Sequence, residues 1–236
     1  MFFKKRHKNK QENQNNVVSN TRSIITEQYK AIRTNIEYSA ADRELKLILV
    51  TSAIPGDGKS VTSSNLAVVF SQQGKKVLLI DADMRKPTIH KNFGLENNAG
   101  ITSILSRKAT VEEVINETSI DNLSILTCGP LPPNPTELLT SKALENLLNK
   151  VYEEYDVIIL DTPPVLAVAD AQILSKYADG VILVVSSGRT EKEKVKKAKH
   201  ILESSNANLI GVVLNNKKQE KADTYYYYYG EKDMAN

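Results

Sequence analysis

Six apolar runs of strand length punctuate the chain, at 45–51 (LKLILVT), 76–80 (KVLLI), 122–128 (NLSILTC), 156–161 (DVIILD), 180–186 (GVILVVS) and 208–215 (NLIGVVLN). Several are near-continuous Val, Ile and Leu with no polar alternation, the pattern of parallel strands covered on both faces. Between them, apolar positions recur at helical spacing over 60–73, 136–154, 168–178 and 190–204. A further helix is predicted over 23–39 (SIITEQYKAIRTNIEYS), ahead of the first strand and outside the repeating pattern. Alternation of this kind predicts an α/β fold, a doubly wound and mostly parallel sheet with helices on both faces. Two helix starts carry local signals: Thr190 with Glu193 predicts a capping box, and Asn134 before Pro135 and Glu137 predicts a similar start.

Composition bounds what this fold does. At 236 residues and 41% hydrophobic content, the chain fills one large α/β domain with polar ends. Three organisational segments follow: a basic, then Asn/Gln-rich arm at 1–21, a folded domain at 22–216 and a tail at 217–236 without periodicity. The arm, opening MFFKKRHKNK, lacks the apolar core of a secretory signal and reads as a solvated start, with contact to an anionic membrane as the alternative. No apolar run approaches the roughly 18 residues that cross a bilayer, so membrane attachment is expected to come from a partner. The balance of 31 basic against 28 acidic residues leaves +3, no nucleic-acid footprint, and no nucleic-acid partner is expected. Cys128, the single cysteine, excludes an internal disulfide and fits a cytoplasmic protein; His7, His90 and His200 have no metal-ligand spacing.

The first strand runs into SAIPGDGKSVTSSNLA, where Gly56, Gly58, Lys59 and Ser60 stand at a strand-to-helix passage. This is the context of a phosphate-binding loop, in which glycines let successive backbone N–H groups converge and the helix N-terminus adds its dipole. The expected nucleotide-binding run is Pro55, Gly56, Asp57, Gly58, Lys59, Ser60 and Val61, with Lys59 on the β- and γ-phosphates and Ser60 on Mg²⁺. Ala53 departs from the usual first glycine. Two other strands end in acids, Asp81 with Asp83 in LLIDADMRKP and Asp161 in IILDTPP. In an open parallel sheet such ends line one crevice, so three carboxylates converge on the loop. Asp161 suits a role in holding Mg²⁺ through water, and one carboxylate is left to accept a proton.

These motifs resemble the bacterial tyrosine kinases, P-loop kinases of capsule and exopolysaccharide systems: SAIPGDGKS resembles their Walker A, LLIDADMRKP their Walker A′, IILDTPP their Walker B and the tail their C-terminal tyrosine cluster. The resemblance spans about residues 20–236. It implies a P-loop NTPase fold and an ATP- and Mg²⁺-dependent kinase, with Lys59, Asp81 and Asp83 catalytic and Ser60, Asp83 and Asp161 around the metal. Asp81 is then the base or the residue orienting the nucleophile, and Arg85, with Lys86, adds positive charge near the nucleotide. Glu27, Lys30 and Arg33 resemble the family's oligomerisation motif, with Lys30 replacing an arginine, which implies a ring assembly. A membrane-bound activator with a cytoplasmic tail is implied as partner, placing the kinase at the inner face of the membrane.

The alternative is a nucleotide-switch ATPase of the cell-division and partition type. Those proteins carry a second lysine early in the loop, where this chain has Ile54, and have no use for a tyrosine cluster. The tail run Tyr225, Tyr226, Tyr227, Tyr228 and Tyr229 is the expected phosphoacceptor, flanked from Lys217 onward by balanced charges that disfavour nucleic-acid binding. Ten residues separate Asn215 from Tyr225, a reach of roughly 33 Å when extended. Each phosphate adds about −1.5 to −2 charges, so phosphorylation is expected to loosen a ring.

Overall fold

The computed structural model describes residues 23–39 and 44–218; the arm at 1–21 and the tyrosines at 225–229 lie outside the described residues. Seven strands form one sheet: β1 (Leu47–Ser52), β2 (Val77–Asp81), β3 (Ile115–Glu117), β4 (Leu123–Leu126), β5 (Val157–Asp161), β6 (Gly180–Ser186) and β7 (Leu209–Asn215). Their order is β3-β4-β2-β5-β1-β6-β7, with every pairing parallel except β3 to β4. β5 is central, with β2 on one side and β1 on the other. The carboxyl ends of β2, β5, β1 and β6 therefore face the crevice where such sheets take ligands.

Continuous apolar strands follow from two cores. Along β1, Leu47 and Leu49 enter the core on one face while Ile48 and Val50 enter the other; in β5, Ile158 and Leu160 oppose Val157 and Ile159 in the same way. The first core is covered by α7 (Lys142–Glu154) and α9 (Lys192–Ser204) through Leu144, Leu147, Val151, Ala198 and Leu202. The second is covered by α1 (Ile24–Ser39) and α2 (Lys59–Ser71). α2 is sandwiched between α1 and the sheet, which buries its ten residues from Thr62 to Ser71 and explains why it has no polar stripe.

The structure corrects several expectations. Three-residue β3 is an antiparallel edge too short and too exposed to show a period, and it makes β5 the fifth strand in place of the expected fourth. The helix expected at 136–154 is broken at Thr140 and Ser141 into α6 (Pro135–Leu139) and α7. Short helices α3 (Ile89–Phe93), α4 (Ile101–Leu105) and α5 (Val111–Val114) had no signal. The segment read as 168–178 holds only α8 (Asp170–Ser175). Thr190 forms no capping box, because α9 starts after Glu191 and the Thr190 hydroxyl donates to Asp57. Asn134 stands at the start of α6 but donates to the Glu137 side chain, without a bond to backbone.

α1 is held from its inner side. Arg33 donates through Nη1 to the Val69 carbonyl at 2.7 Å, in the last turn of α2, where a cation meets the negative end of the helix dipole. Glu27 and Lys30 pair along α1 at 2.8 Å and stay accessible. Of the three residues of the expected oligomerisation motif, Arg33 thus turns into the fold.

Candidate active site

β1 ends at Ser52, and the chain turns through Ala53, Ile54, Pro55, Gly56, Asp57 and Gly58 into α2. Gly56 and Gly58 adopt φ of 85° and 96°, a left-handed region that favours glycine, whereas Ala53 has no positive φ and is buried, so that position has no need of glycine. No side chain caps α2, which leaves the N–H groups of its first turn directed at the loop. Ile54 packs against the first core, in the place where a switch ATPase would present lysine.

Residues without a sequence signal hold this loop. Arg189, after β6, donates to the Gly56 and Pro55 carbonyls at 2.6 and 3.0 Å. Asp57 is fully buried; its carboxylate accepts from the Ile54 N–H at 3.2 Å and from the Thr190 hydroxyl at 2.6 Å. Asn215, ending β7, donates its amide to the Asp57 carbonyl at 3.0 Å and lies directly over Gly58, where a Cβ would collide with it. Gly58→Ala combines that collision with a strained φ, and is expected to cost about 1–3 kcal/mol, read as a lowered Tm.

Sheet register sets the acids. Asp81 and Asp161 are directly paired across β2 and β5, and Asp161 is level with Val50, two residues before β1 ends. Lys59 extends into this group, with Nζ 2.9 Å from Asp83 Oδ2, 3.4 Å from Asp161 Oδ2 and 3.1 Å from the Ser60 hydroxyl. Ser60 donates to Asp161 Oδ2 at 2.6 Å and Ser63 to its Oδ1 at 3.0 Å. Asp81 accepts from the N–H groups of Thr88 and Ile89, both at 3.0 Å, and of Asp83 at 3.3 Å. Asp83 also accepts from the backbone of Arg85 and Lys86.

Burial and crowding shape the charges. Burial and then the charge of Asp161 push Asp81 up to about 7, against its backbone donors and Lys59. Burial likewise raises Asp161, with Lys59 and Ser60 opposing. Burial works against the Lys59 ammonium, but Asp161 and Asp83 outweigh it and hold its pKa above the ordinary lysine value. Cys128 is buried, and burial followed by Asp81 and Asp83 raises its thiol, so it is no nucleophile. Arg85 is not free to face the loop: it donates to Asp170 through Nε at 2.9 Å and Nη2 at 3.1 Å.

The fold and this loop, faced by three strand-end carboxylates, define a P-loop nucleotide-binding protein. The AAA domain family matches residues 45–209. The tyrosine-protein kinase YwqD of Bacillus subtilis is 53% identical over 204 residues, 86% of each chain. The crystal structure of the chimerical protein CapA2B2 matches with a TM-score of 0.83 at 45% identity, covering 86% of this chain and 89% of that one. The septum site-determining protein MinD of Pyrococcus horikoshii, complexed with Mg-ADP, shares the fold with a TM-score of 0.64 at 23% identity, covering 75% and 72%. The chain belongs to the bacterial tyrosine-protein kinase family.

Proposed function

We propose that the chain is an ATP- and Mg²⁺-dependent protein-tyrosine kinase whose domain, residues 22–216, phosphorylates the tail cluster Tyr225–Tyr229, between subunits, and thereby regulates capsule or exopolysaccharide synthesis. The observation that carries the reading is the buried group of Lys59, Ser60, Asp81, Asp83 and Asp161 at the strand ends, in a chain 53% identical to a tyrosine-protein kinase. The residues suit MgATP. Left-handed glycines and an uncapped helix start offer N–H groups to phosphates, and Lys59 supplies a cation. Among the described residues no group of three or more His, Cys, Asp or Glu is arranged to hold a metal by itself. Mg²⁺ in P-loop sites needs no such group, since a hydroxyl, water and phosphate oxygens supply most ligands; Ser60 with Asp161 would hold it here, and Asp83 beside Lys59 completes the surroundings. Bound there, the ion supplies charge neutralisation at the phosphates.

The chain's own residues then do the following. Loop N–H groups and Lys59 orient the triphosphate. Asp81, poised near neutrality, accepts the proton of the tyrosine hydroxyl as its oxygen bonds the γ-phosphorus; the bond from that phosphorus to the bridging oxygen breaks, and ADP leaves with the electron pair. Arg189, clasping the Pro55 and Gly56 carbonyls, keeps the loop in shape. Arg85 acts at one remove, fixing the Asp81–Lys86 segment to Asp170.

Among the described residues no helix is long and apolar enough to cross a membrane. The resemblance to two-protein capsule systems supports a membrane-bound activator that recruits the kinase to the inner face of the membrane. It also supports a ring built through α1, with Glu27 and Lys30 displayed and Arg33 anchoring the helix. Incubation with ATP and Mg²⁺, with and without the activator's cytoplasmic segment, is expected to yield phosphotyrosine in the tail by mass spectrometry. ATP hydrolysis without phosphotyrosine would replace this reading with the switch ATPase.

A further inference from the structure

Leu126 of β4 pairs with Ile80, so Thr127 and Cys128 run on beside Asp81, one strand spacing of about 4.8 Å away. The chain then turns through 129–134 over α4 and forms with it an open cavity of about 300 Å³, walled by Ser106, Lys108, Pro130, Leu131, Pro133 and Leu138. Leu131 is 60% exposed. Yet the loop that carries it is tightly fixed. Gly129 exchanges two hydrogen bonds with the Asn97 amide, at 2.8 and 2.9 Å, and the Thr102 hydroxyl lies 3.0 and 2.8 Å from the Cys128 and Pro130 carbonyls. Gly129 has φ of 81°, and a Cβ there would meet Thr102 Oγ1 at 2.7 Å. On the far side, Thr136 bonds Asp170, which grips Arg85 in the segment between Asp83 and α3. A rigid loop holding a leucine and prolines in water, tied to the acid-bearing segment, is preorganised for contact.

We propose that this cavity is the acceptor-side subsite, seating one tyrosine ring of the run Tyr225–Tyr229 while another presents its hydroxyl at Asp81. The inference rests on the tail being the acceptor. Reach is compatible with this occupant in its own subunit or a neighbour's: β7 ends on the same rim, five strand spacings or about 24 Å from β4, and ten residues from Asn215 to Tyr225 span up to roughly 33–36 Å. Size supports it too, since about 300 Å³ is the lower end of ligand pockets and takes a side chain, not a folded partner. Proline and leucine walls with Lys108 at the edge suit a ring that is apolar along its body and polar at its tip. A reason for consecutive tyrosines follows: a run offers an anchoring ring alongside an acceptor whichever residue reacts.

The test uses the full chain with Tyr225→Ser through Tyr229→Ser, so that its own tail does not compete, and a fluorescent peptide of residues 219–236 as probe. Leu131→Ser and Leu131→Arg are expected to raise the peptide Kd by anisotropy, and its KM for phosphorylation, about tenfold, with Tm, ATP KM and acceptor-free ATP turnover unchanged. Absence of peptide binding to the parent chain, or an unchanged Kd in both variants, overturns the subsite. Phosphorylation of the peptide with unchanged KM overturns it while sparing the kinase reading. Binding that weakens in the variants without any phosphate transfer overturns the tail as acceptor, and with it the acceptor-side assignment, leaving a tail-docking cavity only.

Discussion

Lys59→Met is expected to reduce phosphate transfer to tyrosine by about 10³-fold or more, read with a phosphotyrosine antibody after incubation with MgATP. The lysine brings one ammonium into a buried group holding the carboxyls of Asp81, Asp83 and Asp161, at 2.9 Å from Asp83 and 3.4 Å from Asp161. Without it, triphosphate would be brought up against acids with no intervening cation. Folding should survive, because buried carboxyls that lose a counter-charge take up protons instead of staying ionised. A Lys59→Met chain mixed with a chain whose tail tyrosines are phenylalanine also tests the route of transfer. Label on the Lys59→Met chain establishes transfer between subunits; label confined to intact wild-type controls sinks that part of the proposal. Undiminished label in Lys59→Met alone would remove the loop from the mechanism altogether.

Asp81→Asn carries the second large effect and moves activity and stability in opposite directions. As the proton acceptor, Asp81 is expected to be worth about 10²–10⁴ in kcat, and the rise of the wild-type rate with pH through about 7 should vanish in the variant. Burial and the neighbouring Asp161 raise this carboxyl from 3.8 to about 7, so the folded protein holds the proton more tightly than the unfolded chain does. The associated stability is complete below the unfolded pKa and is lost as pH climbs through the folded one. Over that span of about three pH units the loss is at most about 4 kcal/mol, part of it shared with Asp161. Asparagine keeps an acceptor for Thr88 and Ile89 and never ionises. Its Tm should exceed wild type above pH 7, with the gain fading toward pH 4; a gain independent of pH would refute the assignment.

Much of the site was readable because it depends on local order. The loop from Pro55 to Ser60 has its glycines where the backbone turns left-handed, and Asp81 and Asp161 close strands whose apolar runs are buried on both faces. Arg189, Thr190 and Asn215 were not readable, although they clasp the same loop, since their partners lie more than 130 residues away and no period marks them. Thr190 shows the conflict directly: its spacing to Glu193 suits a cap, but Asp57 is buried and takes the hydroxyl at 2.6 Å. Arg33, read as part of an oligomerisation motif, and Arg85, read as positive charge near the nucleotide, are drawn to Val69 and Asp170 by an unpaired helix-end carbonyl and a fully buried carboxylate.

By itself the sequence determined the alternation of strands and helices, the place of the phosphate loop and the acids that end the strands, because hydrophobic periodicity and turn chemistry act between near neighbours. Only the tertiary structure decided what those acids are. Asp81 stands near 7 because the assembled sheet buries its carboxyl and, with β2 beside β5, sets Asp161 across from it. The energy of a buried charge depends on every group within a few ångströms, and those groups come together only when the sheet is assembled.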